Sequence, residues 1–434
     1  MKDSRYQALI PFGIFLCIFI ALNIIYNSSS ITHDNFPIFA AVAAIIASLF
    51  TFQKNETWNE KIEIFIQGST QSMVIHMCYI FYVSTVFTTI LEHTGGIAAA
   101  VNISLFFIPT CCVLPGIFIV SSLFSFTVGT SMGAIAAFMP IAVKIASHVS
   151  LNPSMMAATI VCGSMFGDNL SILSDTTIAA VKITHSSMKE KLRLNAIIAA
   201  PAFLISLIIL TYQNYLTTST INITQQAVIS NFDIIKVLPY LTTFYLALTG
   251  LDILIVLTIG IIFAVSIGIW LQSLTLLQSI NLIFDGFYAS KGMVNVFILV
   301  LLLAGLSRII SHNGGIEYLI DKLQHKIKNI YQAKIVIFFL ITAVNITIAI
   351  NTISILITGP IATKISDDYN IDSSQTACIL DIASCVSQGL LPYAPQLLLA
   401  ASMAQVSAVS LLPYLYYQYF LAISLFAFIA WNKK

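Results

Sequence analysis

Apolar runs recur along the whole chain, at 9–26, 36–52, 71–91, 112–148, 153–181, 191–211, 236–270, 293–310, 333–367, 373–403 and 409–431, each with few charges. A helix needs about 20 apolar residues to cross a bilayer, so this pattern predicts an all-α polytopic membrane protein. The run 236–270 has room for two helices. The runs 112–148 and 333–367 each divide into two arms, which are either two full spans or the limbs of a re-entrant hairpin.

Composition sharpens the picture. Of 434 residues, 58% are hydrophobic and 9% charged, against roughly 25% charged in soluble domains. A net charge of +1 gives no basic surface for nucleic acid. The seven cysteines, Cys17, Cys78, Cys111, Cys112, Cys162, Cys378 and Cys385, lie in or beside apolar runs without the paired spacing of a zinc or iron–sulfur site. They read as small buried hydrophobes, and no cofactor is expected. The first run, 9–26, is too long for the core of a signal peptide and is expected to be a retained helix.

Charge sets the expected topology. Lys2 and Arg5 precede the first run, Lys54 and Lys61 follow the second, Lys182, Lys189, Lys191 and Arg193 crowd one loop, and Lys433 and Lys434 end the chain. The positive-inside rule makes these segments, including both termini, cytoplasmic in an inner membrane. The stretch 212–235 is Thr/Asn/Gln-rich and is expected as an outward-facing linker between a first repeat, 1–211, and a second, 236–434. Trp58, Trp270 and Trp431 sit at the ends of apolar runs, where an aromatic belt puts them. Residues 317–331 alternate charged and apolar faces at helical spacing and are expected to lie along the inner surface.

The division into repeats comes from the sequence itself. Pro140-Ile-Ala-Val-Lys-Ile145 aligns with Pro360-Ile-Ala-Thr-Lys-Ile365, and His93-Thr-Gly-Gly-Ile97 with His312-Asn-Gly-Gly-Ile316, at offsets of 220 and 219. Loop charges reverse between the copies: Lys182 to Arg193 is matched by uncharged 404–408, whereas the segment after His312 carries Lys322, Lys326, Lys328 and Lys334. That reversal predicts two inverted-topology repeats, the architecture of alternating-access transporters with a substrate site between the repeats.

Polar residues inside apolar runs are the informative ones, since a carboxylate in the bilayer is costly. The densest group is Gly163 to Thr177, with Gly167, Asp168, Asn169, Ser171, Ser174, Asp175 and Thr176. A helix break near Asp168 is expected, exposing carbonyl and side-chain oxygens of the hard kind that Na⁺ requires. Asp168 and Asp175 are therefore candidate Na⁺ ligands. The same place in the second repeat holds Asp381, Ser384 and Gln388 with Gly389, Pro392 and Pro395, where the prolines free backbone carbonyls. Thr130 and Ser131 join the first pair of arms, and Asn351 and Thr352 the second. His76 lies within an apolar run and reads first as a packing histidine, with proton relay as the alternative.

The pattern Gly167-Asp168-x-x-Ser171-x-x-Ser174-Asp175-Thr176-Thr177, with Gly129-Thr130-Ser131 before it, resembles the NhaC-type Na⁺/H⁺ antiporters of the ion-transporter superfamily. Leu380-Asp381-Ile382-Ala383-Ser384-Cys385 through Gln388-Gly389, Pro392-Tyr393 and Gln396 is similar to the second-half signature of one branch. The chain departs from typical members at Asn169, where they often carry a histidine. The resemblance implies exchange of Na⁺ for H⁺ through paired hairpins and broken helices, in a family that also includes amino-acid and organic-acid carriers.

The expected function is thus a secondary-active Na⁺/H⁺ antiporter acting as a homodimer, with Asp168 and Asp175 alternating between proton and cation. Its rival is a Na⁺- or H⁺-coupled carrier of a small amino acid or organic anion. A membrane-embedded enzyme finds no support, because the chain has no His-Glu-x-x-His, nucleophile elbow or nucleotide loop.

Overall fold

A computed structural model describes residues 4–26, 36–51, 57–107, 112–218, 231–324 and 327–431, and every regular element among them is helical. After a 3₁₀ helix at Ser4–Leu9 come α1 (Ile10–Tyr26), α2 (Phe36–Thr51), α3 (Trp58–Ser69), α4 (Ser72–His93) and α5 (Gly96–Phe107). They are followed by α6 (Val113–Val128), α7 (Ser131–His148), α8 (Pro153–Leu170), α9 (Asp175–Thr184) and α10 (Met188–Thr218). The order then recurs with α11 (Asn231–Leu248), α12 (Ile253–Trp270), α13 (Leu276–Ala289), α14 (Lys291–His312) and α15 (Gly315–Gln324). It ends with α16 (Ile330–Ile348), α17 (Asn351–Asp368), α18 (Ser373–Leu390), α19 (Pro395–Ala404) and α20 (Tyr416–Trp431). By length and composition nine of the described helical segments can cross a membrane, α8–α9 and α18–α19 each counting as one, and the bent pair 408–414 with α20 makes a tenth.

The recurrence reaches the backbone. Left-handed residues pair as Gly95 with Gly314, Gly129 with Ala349, Ser150 with Asn370 and His185 with Gln405, each 219 or 220 positions apart. Helices α8 and α18 start alike. Asn152 caps α8 through a hydrogen bond accepted from Ser154 N at 2.8 Å, and Asp372 caps α18 by accepting from Ser374 N at 2.9 Å. Such caps satisfy amide groups that the first helical turn leaves unpaired.

The two halves interlock rather than sit side by side. Helices α2 and α3 pack on α14, while α12 and α13 pack on α4; α9 packs on α17 and α18, while α19 packs on α7 and α8. In the centre, α8 fits against α6 through Gly163 and Gly167. A Cβ on Gly167 would come within 2.1 Å of Ser122 O, and one on Gly163 within 2.5 Å of Phe118 O. Small residues four apart let two membrane helices approach backbone to backbone, the main source of attraction where lipid is as apolar as the side chains.

Several expectations are corrected here. The break expected near Asp168 falls at 171–174: Gly167 serves this close approach, and α8 continues to Leu170. The apolar runs do not predict helices α3, α5 and α13, which at 12, 12 and 14 residues are too short to register as spans. Helices α10 and α11 run to Thr218 and from Asn231, inside the stretch expected as a loop; 219–230 lie outside the described residues. The amphipathic stretch 317–331 is not one helix: α15 covers it to Gln324, and Tyr331 belongs to α16. Cys17 and Cys112 are exposed rather than buried, and Cys111 lies outside the described residues.

Candidate functional site

Four helix ends of each kind meet at the centre. Helix α6 stops at Gly129, whose φ of 76° makes the left-handed C-cap, and Thr130 is extended before α7 begins at Ser131. Only glycine suits this tip: besides the positive φ, a Cβ would lie 2.7 Å from the backbone of Leu173 in the break between α8 and α9. In the second half α16 stops at Ala349 with φ 57°, Ile350 is extended, and α17 begins at Asn351. Each hairpin is tied to its broken helix in the same way. Ser125 Oγ donates to Ser164 O at 2.5 Å, and Asn345 Nδ2 to Ser384 O at 2.9 Å, both partners shifted by 220 positions.

Where these ends meet there is a cavity of about 290 Å³. The tip of the first hairpin lines it with Thr130 and Ser131, and α8 and the break before α9 with Asp168, Leu173, Ser174, Asp175 and Thr176. The second half contributes Asn351, Thr352, Gln388 and Gln396. A fourth wall comes from Met73, His76 and Met77 on α4 and from Gly250 to Ile253 at the turn between α11 and α12.

Asp168 is the buried carboxylate of this cavity, at 8% exposure, and its Oδ1 has no hydrogen-bond partner among the described residues. Ser131 and Ser174 lie beside it, so the N-termini of α7 and α9 face the carboxylate. Amide groups at such ends favour negative charge. Gln388 is fixed by donating from Nε2 to Ala349 O at 2.8 Å, which leaves Oε1 unpartnered. Asn351 Oδ1 accepts from Asn345 Nδ2 at 3.0 Å. Asp175 and Asp252, by contrast, are exposed. Asp252 caps α12 through Oδ1, accepting from Leu254 N at 2.8 Å, and its Oδ2 lies 3.9 Å from His76 Nε2. His76, read first as packing, therefore faces the cavity, and Asp252 lines it too.

Four candidate ligands stand elsewhere. Ser384 Oγ turns back to Asp381 O at 2.8 Å, and Ser171 Oγ accepts from Leu173 N at 3.2 Å, shaping the break. Asn169 is turned away from the cavity and donates to the Tyr417 hydroxyl at 2.8 Å. Asp381, fully buried, is paired with Lys191 Nζ at 2.5 Å. Lys191 also donates to Thr177 Oγ1 at 2.5 Å, and Asn195 Nδ2 donates to Asp381 Oδ2 and Asn169 O, both at 2.8 Å. Lys191 is thus no loop lysine: α10 starts at Met188 and turns it inward. The available hint was a Lys and an Asn four apart, on one face of a helix, opposite a membrane carboxylate with no local partner.

Among the described residues no group of three or more His, Cys, Asp or Glu is arranged to hold a metal ion. The site offers instead one buried carboxylate, hydroxyls, amide oxygens and helix ends, a donor set of hard oxygens.

Comparison with known proteins places the chain. It is 20% identical to a malate-2H⁺/Na⁺-lactate antiporter of Bacillus subtilis, over 98% of this chain and 95% of that one. It is 23% identical to the Na⁺/H⁺ antiporter NhaC of Alkalihalophilus pseudofirmus, over 89% and 87%. An arginine/ornithine antiporter, ArcD of Halobacterium salinarum, is 23% identical over 82% and 79%. A family model for the Na⁺/H⁺ antiporters matches residues 7–211 and 166–433, so both halves are covered. The chain belongs to the Na⁺/H⁺ antiporter family.

Proposed function

We propose that the protein exchanges Na⁺ for H⁺ across the inner membrane, with Asp168 as the group that holds either ion. The observation that carries this reading is a single buried carboxylate, with one free oxygen, at the meeting point of two hairpin tips and two broken helices. A proton on Asp168 removes the charge that attracts Na⁺, and Na⁺ on Asp168 excludes the proton, so each ion is carried only when the other has left. Ser131, Ser174, Asn351 and the free Oε1 of Gln388 supply the neutral oxygens around it. Asp175, more exposed, attracts the cation at the entrance.

The expected inverted arrangement gives the cavity a side. With Lys61 before α4 and Lys182 after α9 cytoplasmic, the end lined by His76, Asp175 and Asp252 faces inward, and closing it while opening the opposite side completes the cycle. The lining also bears on the substrate. Three carboxylates and one imidazole favour a cation and oppose a free organic anion.

A second reading is favoured by the volume: about 290 Å³ holds several waters at about 30 Å³ each, more room than a bare ion needs. It would admit a small amino acid whose cationic end meets Asp168. Purified protein in liposomes separates the two. Na⁺-driven proton movement that is unaffected by amino acids supports exchange of the ions alone. Uptake of a basic or zwitterionic amino acid without Na⁺-coupled proton movement rejects it.

A further inference from the structure

Behind the cavity, and not lining it, lies a buried ion pair, bonded through Asp381 Oδ2. Lys191 and Asp381 are both 0% exposed, and Lys191 Nζ bonds to Asp381 Oδ2 on α18 and to Thr177 Oγ1 on α9. Asn195 Nδ2 holds the same oxygen of Asp381 at 2.8 Å. The ammonium is therefore tied to both broken-helix units at once. A buried charge without its partner is strongly disfavoured, whereas a matched pair is tolerated. As neither group lines the cavity, neither exchanges ions with it directly.

We propose that Lys191 and Asp381 form a permanently closed pair that fixes the net charge of the buried centre at minus one, so that the cycle moves one proton per Na⁺ and no net charge. The count uses the buried charges of the centre: Asp168 and Asp381 negative, Lys191 positive. The remaining charged groups lie apart from it. Asp175 and Asp252 are exposed at the mouth with His76, Glu190 accepts from Ser374 Oγ, and Lys334 near the other end of α16 lies in the field of Asp372. With the pair bonded, a single monovalent cation neutralises Asp168. This rests on Asp168 as the carrier, and it adds a stoichiometry and a role for a residue outside the cavity.

The test is the null point of exchange in liposomes with the membrane potential clamped by K⁺ and valinomycin. Against a tenfold proton gradient, wild-type proton flux should vanish at about a tenfold Na⁺ gradient, at zero potential and after a step of about 59 mV alike, since such a step is worth tenfold only if one charge moves. A null point that shifts about tenfold with the step overturns the proposal, for then a second group releases its proton in each cycle.

Variants test the pair itself. Asp381→Asn leaves the ammonium without its carboxylate in the buried centre and should raise the Na⁺ concentration for half-maximal flux at least about tenfold. Lys191→Met with Asp381→Asn removes both charges and should return it towards wild type, still independent of potential. If the double variant is expressed, folds by size-exclusion profile and keeps the single variant's weak Na⁺ dependence, the pair acts by shape rather than charge and the proposal fails. Failure of the underlying reading looks different: no Na⁺-coupled proton flux in wild type at any potential.

Discussion

The broken helices α8–α9 and α18–α19 have nearly the same backbone and opposite chemistry. Each runs 18 residues, breaks for four, and resumes for 10. Asp168 of the first stands where Gln388 stands in the second, and Asp175 where Pro395 stands. The two units thus share their mechanics, and the carboxylate that faces the cavity lies on one of them. A proton and a cation that share one acid compete cleanly, and a second acid facing the same cavity at full burial would raise the charge there to be neutralised. The second half has an acid, Asp381, but Lys191 from the first half closes it off.

The largest effect should come from breaking that asymmetry. Asp168→Asn should reduce Na⁺-dependent proton flux to that of empty liposomes with expression retained, while Gln388→Ala, which removes a neutral oxygen, should weaken apparent Na⁺ affinity and leave flux measurable. Equal loss in both variants would mean that the two halves share the ion on equal terms.

The hairpin tips give the next contrast. Gly129→Ala places a Cβ against Leu173 in a left-handed conformation and should cost on the order of 3 kcal/mol. Ala349→Gly relieves about 1 kcal/mol of left-handed strain against a similar loss of chain entropy and should be close to neutral. Thermal unfolding in detergent reads both. The ties behind the tips differ less: Asn345 donates to Asn351, Ser384 and Ser387, whereas Ser125 donates across to Ser164. Asn345→Ala should cost about 2 kcal/mol and Ser125→Ala about 1 kcal/mol by the same melt.

The smallest effect concerns the mouth. Asp252 stands there, its Oδ2 3.9 Å from His76 Nε2. Asp252→Asn should therefore weaken apparent Na⁺ affinity a few-fold at low ionic strength and less at high ionic strength, where exposed charges are screened. An equal change at both ionic strengths would show that the residue acts by capping α12 rather than by its charge.

Much of this was legible in the sequence because it follows from period and polarity. The apolar runs, the paired motifs 219 and 220 apart, and the break between Asp168 and Asp175 all survive in the helices. Thr130, Ser131, Asp168, Ser174, Asp175, Thr176, Asn351, Thr352 and Gln388 do meet at one cavity. What stayed hidden depends on rotation about a helix axis. Asn169 is one residue from Asp168 and so about 100° round the helix, which turns it to Tyr417 instead. The positive-inside rule reads number and position, not direction, and so places Lys191 among loop charges. His76 and Asp252, 176 positions apart, have no local signal that joins them.

The central claim, that one carboxylate holds either Na⁺ or a proton, is tested most directly by equilibrium binding of radioactive Na⁺ to purified protein as a function of pH. Competition for Asp168 requires that, on the acid side, apparent affinity fall about tenfold for each unit of pH, with one proton released per Na⁺ bound, and that Asp168→Asn lose this saturable binding. Wild-type binding that is independent of pH, or that survives unchanged in Asp168→Asn, would contradict it.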